Sequence, residues 1–297
     1  MDSSHIFMKR MELLGKDTQI ADIPLKWLSI AKLALLEDVG YGDLTTLSLP
    51  NNECKGDIIA KEPGVIAGME LAKYILALSS KEIEFLDSVN DGTEVKKGDR
   101  ILSFLGDAHG ILMGERTALN FLQLMSGTAT LAFRLVKALN DNKIRILDTR
   151  KTIPLMRELQ KYAVTAGGCY NHRMGLYDMI LVKENHIELA KGIERCLDLI
   201  FKNNCCGIAV EVEVRNMKDF LAASKYPVQV IMLDNMKLPE IRNCVKSKPE
   251  NAQFKIEISG NIGLSNIHEY KGCGVDFISC GALTNSVARL DLSLLLE

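Results

Sequence analysis

The chain has 297 residues, of which 47% are hydrophobic and 25% charged, and its formal net charge is −2. This composition is typical of globular proteins and excludes collagen, disordered chains and coiled coils, while the length suggests about two domains. The near balance of basic and acidic residues argues against a general nucleic-acid binder and against a protein of anionic membrane surfaces.

No segment of the sequence predicts a membrane span or an export signal. The longest uncharged stretch, Thr117–Phe133, is interrupted by polar residues that a bilayer would reject. Charged residues such as Asp2, Lys9 and Glu12 leave no apolar region near the start of the chain, so we expect a cytoplasmic protein. The eight cysteines contain no C-x-x-C pair and are expected to be reduced and mostly buried.

Residues 1–140 are predicted to contain a variable arm and a first domain. Residues 1–24 show no clear pattern and form the predicted arm, while residues 25–140 hold the predicted N-terminal domain. The first predicted helix begins near Pro24, ends at Gly40 and buries one apolar stripe. That stripe consists of Leu25, Leu28, Leu33 and Leu36.

Short apolar patterns and turn dipeptides after residue 50 predict a unit of mostly β character. Its predicted strands are Asp57–Lys61, Val65–Gly68, Glu82–Asp87 and Ile101–Leu105. Met69–Ser79 is predicted to be a helix between them. Gly114–Asn140 is predicted to be a long bridging helix that breaks near Gly127.

Residues 141–297 alternate between apolar runs and amphipathic segments, with the spacing of repeated βα units. The apolar runs are Ile144–Leu147, Met179–Val182, Ile208–Val214, Val228–Leu233, Lys255–Ser259 and Val275–Cys280. The amphipathic segments include Leu155–Ala166, Ile187–Asn203 and Leu238–Val245. Strands this apolar are buried on both faces, which predicts a parallel sheet, either a barrel, complete or not, or an open doubly wound sheet. Reactive residues follow nearly every run, which favours the barrel because only a ring brings so many strand ends together.

The first candidate cluster is basic. Its members follow successive predicted strands, with one more on the bridging helix: Arg150, Lys151, His172, Arg173, Lys183 and Arg116. Guanidinium groups match carboxylates and phosphates in two places, and ammonium groups add point charges. Any one of these residues could be a solvated loop charge paired with a local acid. Their recurrence at strand ends favours a site for an anion that carries several charges.

The second and third clusters are acidic and glycine-rich. Strand alternation points Glu211 and Glu213 to one side of their strand, and Asp234 ends the next one. Carboxylates here could bind sugar hydroxyls or Mg²⁺, or could form structural ion pairs with the basic cluster. Ser259-Gly260-Asn261 and Gly281-Ala282 each follow a late strand, where backbone amides could bind phosphate or form ordinary turns. The residues alone indicate phosphosugar chemistry on an anionic substrate.

Eight segments then carry a more specific resemblance. They are Glu37–Thr46, Gly114–Gly127, Leu147–Thr152, Asn171–Leu176, Val182–His186, Val210–Val214, Met232–Asn235 and Ile258–Gly260. In order along the chain they closely resemble quinolinate phosphoribosyltransferases, also called nicotinate-nucleotide pyrophosphorylases (carboxylating). The resemblance covers about Leu35 to Leu296.

This resemblance implies a reaction, a fold and an assembly. Quinolinate and phosphoribosyl pyrophosphate would give nicotinate mononucleotide, pyrophosphate and CO₂ in de novo NAD biosynthesis, with Mg²⁺ required. The fold would be an N-terminal α/β sandwich and a C-terminal, incomplete α/β (TIM-like) barrel. The protein would be a homodimer, or an assembly of dimers, in which the N-terminal domain of each subunit covers the barrel of the other.

The resemblance also implies a role for each candidate residue. The residues around the two quinolinate carboxylates would be Arg150, His172, Arg173 and Lys183. Lys151 would lie between quinolinate and the pyrophosphate, and Arg116 would come from the neighbouring subunit. Glu213 and Asp234 would hold the ribose hydroxyls and Mg²⁺ and, with Lys151, would be the catalytic residues. The residues around the 5′-phosphate would be Ser259, Gly260, Asn261, Gly281 and Ala282.

Two positions depart from the family pattern, and three other functions remain open. Asn261 stands where the family usually has a second glycine, and Asn285 where histidine is common, and both lie at the phosphate end that the resemblance implies. A related phosphoribosyltransferase for another anionic heterocycle is one alternative. A Schiff-base aldolase is a second, because Lys151 and Lys183 follow barrel strands. A non-catalytic ligand sensor is the third.

Overall fold

The computed structural model describes residues 23–80 and 82–297, and these form two compact units. The first unit contains the described residues up to Thr130 together with Val287–Glu297, and the second is Leu131–Ser286. This division differs from the predicted boundary between residues 140 and 141. Most of the predicted arm lies outside the described residues.

The first unit is an antiparallel sheet with helices. Its helices are α1 (Leu25–Val39), α2 (Met69–Ser79) and the start of α3 (Ala108–Leu139), with a 3₁₀ turn at Thr46–Ser48. Its strands are β1 (Glu53–Ala60), β2 (Gly64–Val65), β3 (Ile83–Ser88), β4 (Glu94–Val95), β5 (Arg100–Asp107) and β12 (Leu292–Leu296). The main sheet has the order β12-β1-β5-β3, and β2 pairs with β4. In the register, Ile58 lies opposite both Leu294 and Leu102.

Strand β12 explains why the last residues belong to the first unit. It pairs with β1 in antiparallel register, with Asp57 opposite Leu295 and Ala60 opposite Leu292. The sequence analysis did not identify β12, because no local pattern shows which strand it completes. The edge of β1 is thereby covered, which removes a row of unpaired backbone groups.

Helix α1 ends at Gly40 as predicted, but the predicted buried stripe is wrong. The residues that α1 buries are Trp27, Ala31 and Leu35, four residues apart. Leu25 and Leu33 are 82% and 63% exposed. The positions of the leucines gave the wrong buried face, because burial follows the one face that α1 turns inward. The single tryptophan of α1 lies on that face.

Helix α3 is continuous, so the predicted break near Gly127 is wrong. A Cβ atom on Gly127 would lie 2.1 Å from the carbonyl oxygen of Ala288. The glycine therefore allows the chain that leads to β12 to approach the helix closely, and it does not interrupt the helix.

The second unit is built on a parallel sheet. Its strands are β6 (Arg145–Leu147), β7 (Ile180–Val182), β8 (Val210–Val214), β9 (Val230–Asp234), β10 (Lys255–Ser259) and β11 (Phe277–Ser279). Their order is β6-β11-β10-β9-β8-β7, and Tyr170 adds a single parallel bridge to Leu147 beyond β6. Among the described residues no ladder joins Tyr170 to β7, so the ring is incomplete. The predicted α/β class with a parallel sheet is confirmed.

Helices cover the sheet of the second unit. They are α4 (Arg157–Ala166), α5 (Glu184–Ala190), α6 (Ile193–Asn203), α7 (Met217–Ala223), α8 (Leu238–Ser247) and α9 (Ala282–Asn285), with a 3₁₀ turn at Ile267–Tyr270. The predicted amphipathic segment Ile187–Asn203 falls in two helices, α5 and α6, because Lys191 and Gly192 adopt positive φ angles of 62° and 131°. The valines of β8 lie in the core between sheet and helices. None of the helices in the described parts of the chain is long and apolar enough to cross a membrane.

Replacing Gly127 by alanine should destabilise the protein, although alanine normally favours a helix. The new methyl group would overlap the Ala288 backbone, and overpacking of this kind costs about 1–3 kcal/mol. Gly263→Ala is the matched control, since a Cβ there meets no atom within 4 Å. Thermal unfolding of both variants checks the prediction, and a Gly127→Ala protein as stable as the parent would contradict it.

Candidate active site

A cavity of about 400 Å³ lies at the carboxyl ends of the strands of the second unit. The residues that line it are Thr149, Arg150, Lys151, His172, Arg173, Leu181, Lys183, Glu213, Met232, Asp234, Ser259 and Ser279. The structure therefore brings together the basic cluster of this unit, two of the three acidic candidates (Glu213 and Asp234) and Ser259 of the glycine-rich cluster. Parallel strands produce this result because all of them end at the same face.

The basic residues come from the two edges of the sheet. Arg150 and Lys151 follow β6, and Arg173 follows the bridge at Tyr170. Lys183 directly follows β7, the strand at the opposite edge. The basic residues thus flank the open side of the ring.

The remaining predicted site residues are not among those that line the cavity. Gly260 has a φ angle of 109°, and a Cβ there would lie 2.3 Å from the side-chain oxygen of Asn235. Asn261 donates from Nδ2 to the same oxygen at 3.2 Å. A Cβ on Gly281 would lie 3.5 Å from Cδ of Lys151, and Ala282 begins α9. Arg116 is exposed on α3 in the first unit.

The two arginines hold buried nitrogen atoms that lack a partner. Among the described residues, Nε of Arg150 and Nε of Arg173 have no hydrogen-bond acceptor. Arg173 donates from Nη1 to the carbonyl oxygen of Met179 at 2.8 Å. Burial and the neighbouring Arg150 lower the pKa of Arg173 below its usual value. Unsatisfied buried guanidinium nitrogens are costly, so this part of the cavity favours an anionic ligand.

The acidic residues pair with cations on the other side of the cavity. Glu213 Oε2 lies 3.6 Å from Nζ of Lys183. Burial first, and then the charge of Asp234, raise the pKa of Glu213. Asp234 accepts hydrogen bonds from Nε of Arg215 at 3.2 Å and from Nδ2 of Asn235 at 2.8 Å.

Arg215 is a residue that the sequence analysis missed. Its Nη1 lies 2.6 Å from Oε2 of Glu184, while its Nε contacts Asp234. A signal existed, because Arg215 comes directly after β8, where other strands carry the candidate residues. Side-chain pairing across three strand ends cannot be read from that position alone.

Glu257 and Ser279 were also missed, and they lie with His172 and Glu211 among the inward-facing residues. Nε2 of His172 lies 3.0 Å from Oε2 of Glu211 and 3.7 Å from Oε1 of Glu257. Ser279 donates from Oγ to Oε1 of Glu257 at 2.5 Å. The alternation that marked Glu211 and Glu213 also places Glu257 on the same side of β10 as Ser259, so this signal was available.

The surroundings of Glu257 favour the protonated form of its carboxyl group. Burial and the neighbouring Glu211 raise the pKa of Glu257 well above its ordinary value. The donor atoms of His172, Glu211 and Glu257 are close enough to hold a metal ion. However, Nδ1 of His172 accepts the backbone N–H of Arg173 at 2.7 Å, so Nε2 carries the ring proton and faces the carboxylates. The three side chains are therefore better arranged to share a proton than to bind a metal ion.

Two family models match consecutive parts of the chain. The model described as the N-terminal domain of quinolinate phosphoribosyl transferase matches residues 43–126. The model described as the C-terminal domain of the same enzyme matches residues 128–295. Together they cover both structural units.

Similar proteins carry corresponding names. A Bacillus subtilis protein named probable nicotinate-nucleotide pyrophosphorylase (carboxylating) is 40% identical over 260 residues, with 87% of this chain and 89% of that protein covered. A Nicotiana tabacum protein named quinolinate phosphoribosyltransferase (decarboxylating) 2b, mitochondrial, is 38% identical, with 98% and 90% covered. The crystal structure of NadC from Streptococcus pyogenes superposes with a TM-score of 0.89 at 35% identity, covering 95% of this chain and 99% of that one.

Replacing Glu257 by glutamine should stabilise the protein increasingly as the pH rises. The pKa of Glu257 is raised in the folded state. The wild-type protein therefore loses folding stability as the pH rises above the unfolded-state pKa of this carboxyl group, about 4.3. Glutamine does not titrate and avoids this loss, so the stability gained by Glu257→Gln should be larger at pH 8 than at pH 5. Urea unfolding at pH 5 and pH 8 measures the difference.

Glu188→Gln is the control for this experiment, because Glu188 is exposed on α5. Its stability difference from the parent should not change between the two pH values. A Glu257→Gln difference that is equally flat would show that this carboxyl does not have a raised pKa in the folded protein.

Proposed function

Because the chain belongs to the quinolinate phosphoribosyltransferase family, we propose that it transfers the phosphoribosyl group of phosphoribosyl pyrophosphate to quinolinate. The carboxylate next to the ring nitrogen leaves as CO₂, and the products are nicotinate mononucleotide and pyrophosphate. The observation that carries this proposal is one cavity lined both by the basic side chains of Arg150, Lys151, Arg173 and Lys183 and by the carboxylates of Glu213 and Asp234. The reaction belongs to de novo NAD biosynthesis, and we place it in the cytoplasm.

The basic side of the cavity receives quinolinate. The residues that surround its two carboxylates are Arg150, His172, Arg173 and Lys183. Arg150, Arg173 and Lys183 support this role, because all three line the cavity and their charged groups match carboxylates. Both nitrogens of His172 already face protein groups, so the charge comes from the two arginines and Lys183.

The acidic side receives phosphoribosyl pyrophosphate. Glu213 and Asp234 hold the ribose hydroxyls and, with the substrate, Mg²⁺. Their carboxylate oxygens fit this ion because Mg²⁺ prefers oxygen ligands, and both side chains line the same cavity. When bound, Mg²⁺ neutralises charge on the pyrophosphate leaving group. The residues around the 5′-phosphate are Ser259, Gly260, Asn261, Gly281 and Ala282.

The residues of the chain then act by position and charge. As the bond from the ribose C1 to pyrophosphate breaks, the lone pair of the pyridine nitrogen forms the new bond to C1. Arg150 and Arg173 hold the ring in line for this attack, and Lys151 stabilises the departing pyrophosphate. Glu213 and Asp234 stabilise the positive charge that develops on the ribose. The ring nitrogen is now positively charged, so the electron pair left on the adjacent carbon after CO₂ departs is stabilised, and a proton replaces the CO₂.

The function is tested by release of labelled CO₂ from carboxyl-labelled quinolinate. Release should require phosphoribosyl pyrophosphate and Mg²⁺ and should match the nicotinate mononucleotide formed. Turnover of nicotinate but not quinolinate would indicate the related transferase, and binding without turnover would indicate a sensor. Borohydride trapping of a carbonyl substrate on Lys151 or Lys183 would indicate an aldolase.

Lys183→Ala should raise the KM for quinolinate about 10- to 100-fold, because a hydrogen bond to a charged group is worth about 1.5–3 kcal/mol. Arg173→Ala should have the same effect, and the KM for phosphoribosyl pyrophosphate should change little in both. Lys202→Ala, an exposed lysine on α6, is the control. Steady-state kinetics with each substrate varied in turn decides the matter, and equal losses for both substrates would refute this division of roles.

We also propose that the active unit is a homodimer with Arg116 supplied to the site of the other subunit. Neither Arg116→Ala nor Glu213→Ala homodimers should be active. Mixed dimers of the two variants should regain activity, up to about one intact site in each dimer, because one site then keeps both side chains. Differently tagged subunits allow the mixed dimer to be purified, and an inactive mixed dimer would exclude the role of Arg116 across the interface.

A further inference from the structure

Helix α4 directs three polar side chains at the backbone of the segments that carry the basic residues. Arg157, Gln160 and Lys161 are three and four residues apart and so share one face of the helix. Gln160 and Lys161 are fully buried, and Arg157 is half-buried. None of the three is among the described residues that line the cavity.

Arg157 connects two of these segments. Its Nη1 donates to the carbonyl oxygen of Met174 at 3.1 Å, and its Nη2 donates to that of Arg150 at 3.5 Å. Its Nε donates to Oγ1 of Thr152 at 3.2 Å. One planar guanidinium group therefore joins the segment after β6 to the segment after Tyr170.

Lys161 holds the second segment through a buried ion pair. Its Nζ pairs with Asp148 and donates to the carbonyl oxygen of His172 at 2.7 Å. Asp148 also accepts the backbone N–H of His172 at 2.9 Å and the amide of Asn171 at 2.7 Å. Burial raises the pKa of Asp148 and lowers that of Lys161, and their mutual attraction offsets this cost only in part. The backbone of His172 is thus fixed from both sides.

Gln160 connects the segment after β6 to helix α9. Its Oε1 accepts the backbone N–H of Ile153 at 2.8 Å, and its Nε2 donates to the carbonyl oxygen of Thr284 at 2.8 Å. Thr284 in turn donates from Oγ1 to the carbonyl oxygen of Lys151 at 2.8 Å. The backbone around Lys151 is therefore held through both Gln160 and Thr284.

We propose that Arg157, Gln160 and Lys161 are positioning residues that set the separation of the Arg150 and Arg173 side chains and so select a dicarboxylate. Each of the three bonds to backbone, and none of them lines the cavity, so each acts through the residues it holds. A small, rigid dianion is bound well only when both guanidinium groups stand at the right distance. The identity of this dianion as quinolinate rests on the proposed function.

Arg157→Met is the first test, because this half-buried side chain can be replaced without leaving a buried charge. Calorimetric titration should show quinolinate affinity weakened about 10- to 100-fold, the loss expected from a misplacement of about 1 Å. The KM for phosphoribosyl pyrophosphate should change less than the quinolinate affinity, since Lys151 is its one proposed partner between the residues that Arg157 holds, while Glu213 and Asp234 lie on β8 and β9. Lys246→Met, an exposed lysine on α8, is the matched control and should bind quinolinate normally.

The second test separates positioning from stability. Lys161→Met leaves the buried Asp148 carboxylate without its cation and should lower both the unfolding temperature and quinolinate affinity. The double variant Asp148→Asn/Lys161→Met has no stranded charge, so its unfolding temperature should recover while quinolinate affinity stays at least about fivefold weaker. Affinity that recovers together with stability would show a merely structural role and would overturn the proposal.

Quinolinate binding and CO₂ release by the wild-type protein distinguish an error in the proposed function from an error in the positioning role alone. A wild-type protein that neither binds quinolinate nor releases CO₂ from it contradicts the proposed function. A wild-type protein that does both, and an Arg157→Met variant that binds quinolinate equally well, overturn only the positioning role.

Discussion

Positive charge collected in one cavity is the constraint on which the candidate site depends. Arg150 and Lys151 stand at one edge of the parallel sheet, Arg173 beside the Tyr170 bridge, and Lys183 at the other edge. Two like charges 4 Å apart repel each other by about 4 kcal/mol in a partly solvated site. Such a cluster requires both a backbone that holds it and an anion that neutralises it. The parallel sheet supplies the first requirement, and a dicarboxylate substrate would supply the second.

Nearby acids compensate this charge only in part. Lys183 lies 3.6 Å from Glu213, while the buried Nε atoms of Arg150 and Arg173 have no acceptor among the described residues. Partial compensation suits a binding site, because full pairing within the protein would leave nothing for a ligand to gain. The rigid attachment to α4 then keeps the remaining charge from relaxing into solvent.

Particular residues show where sequence patterns were sufficient and where they failed. Strand alternation placed Glu211 and Glu213 on one side of β8, and continuous apolar runs located all six parallel strands, because both patterns are local properties of a strand. The leucine stripe of α1 and the break at Gly127 were wrong. Each depends on what packs against the helix, and the partner of Gly127 is Ala288, far along the chain.

The sequence by itself determined the α/β class, the strands of the barrel, the basic and acidic candidates and, through its motifs, the family. The periodicity of neighbouring residues and the order of the motifs along the chain are sufficient for these predictions. Only the tertiary structure decided that β12 completes the first sheet, that Glu257 faces His172, and that α4 holds the segments bearing Arg150 and Arg173. These outcomes depend on distances between residues remote in sequence, and such distances arise only when the sheet has closed most of its ring and the helices have packed against it.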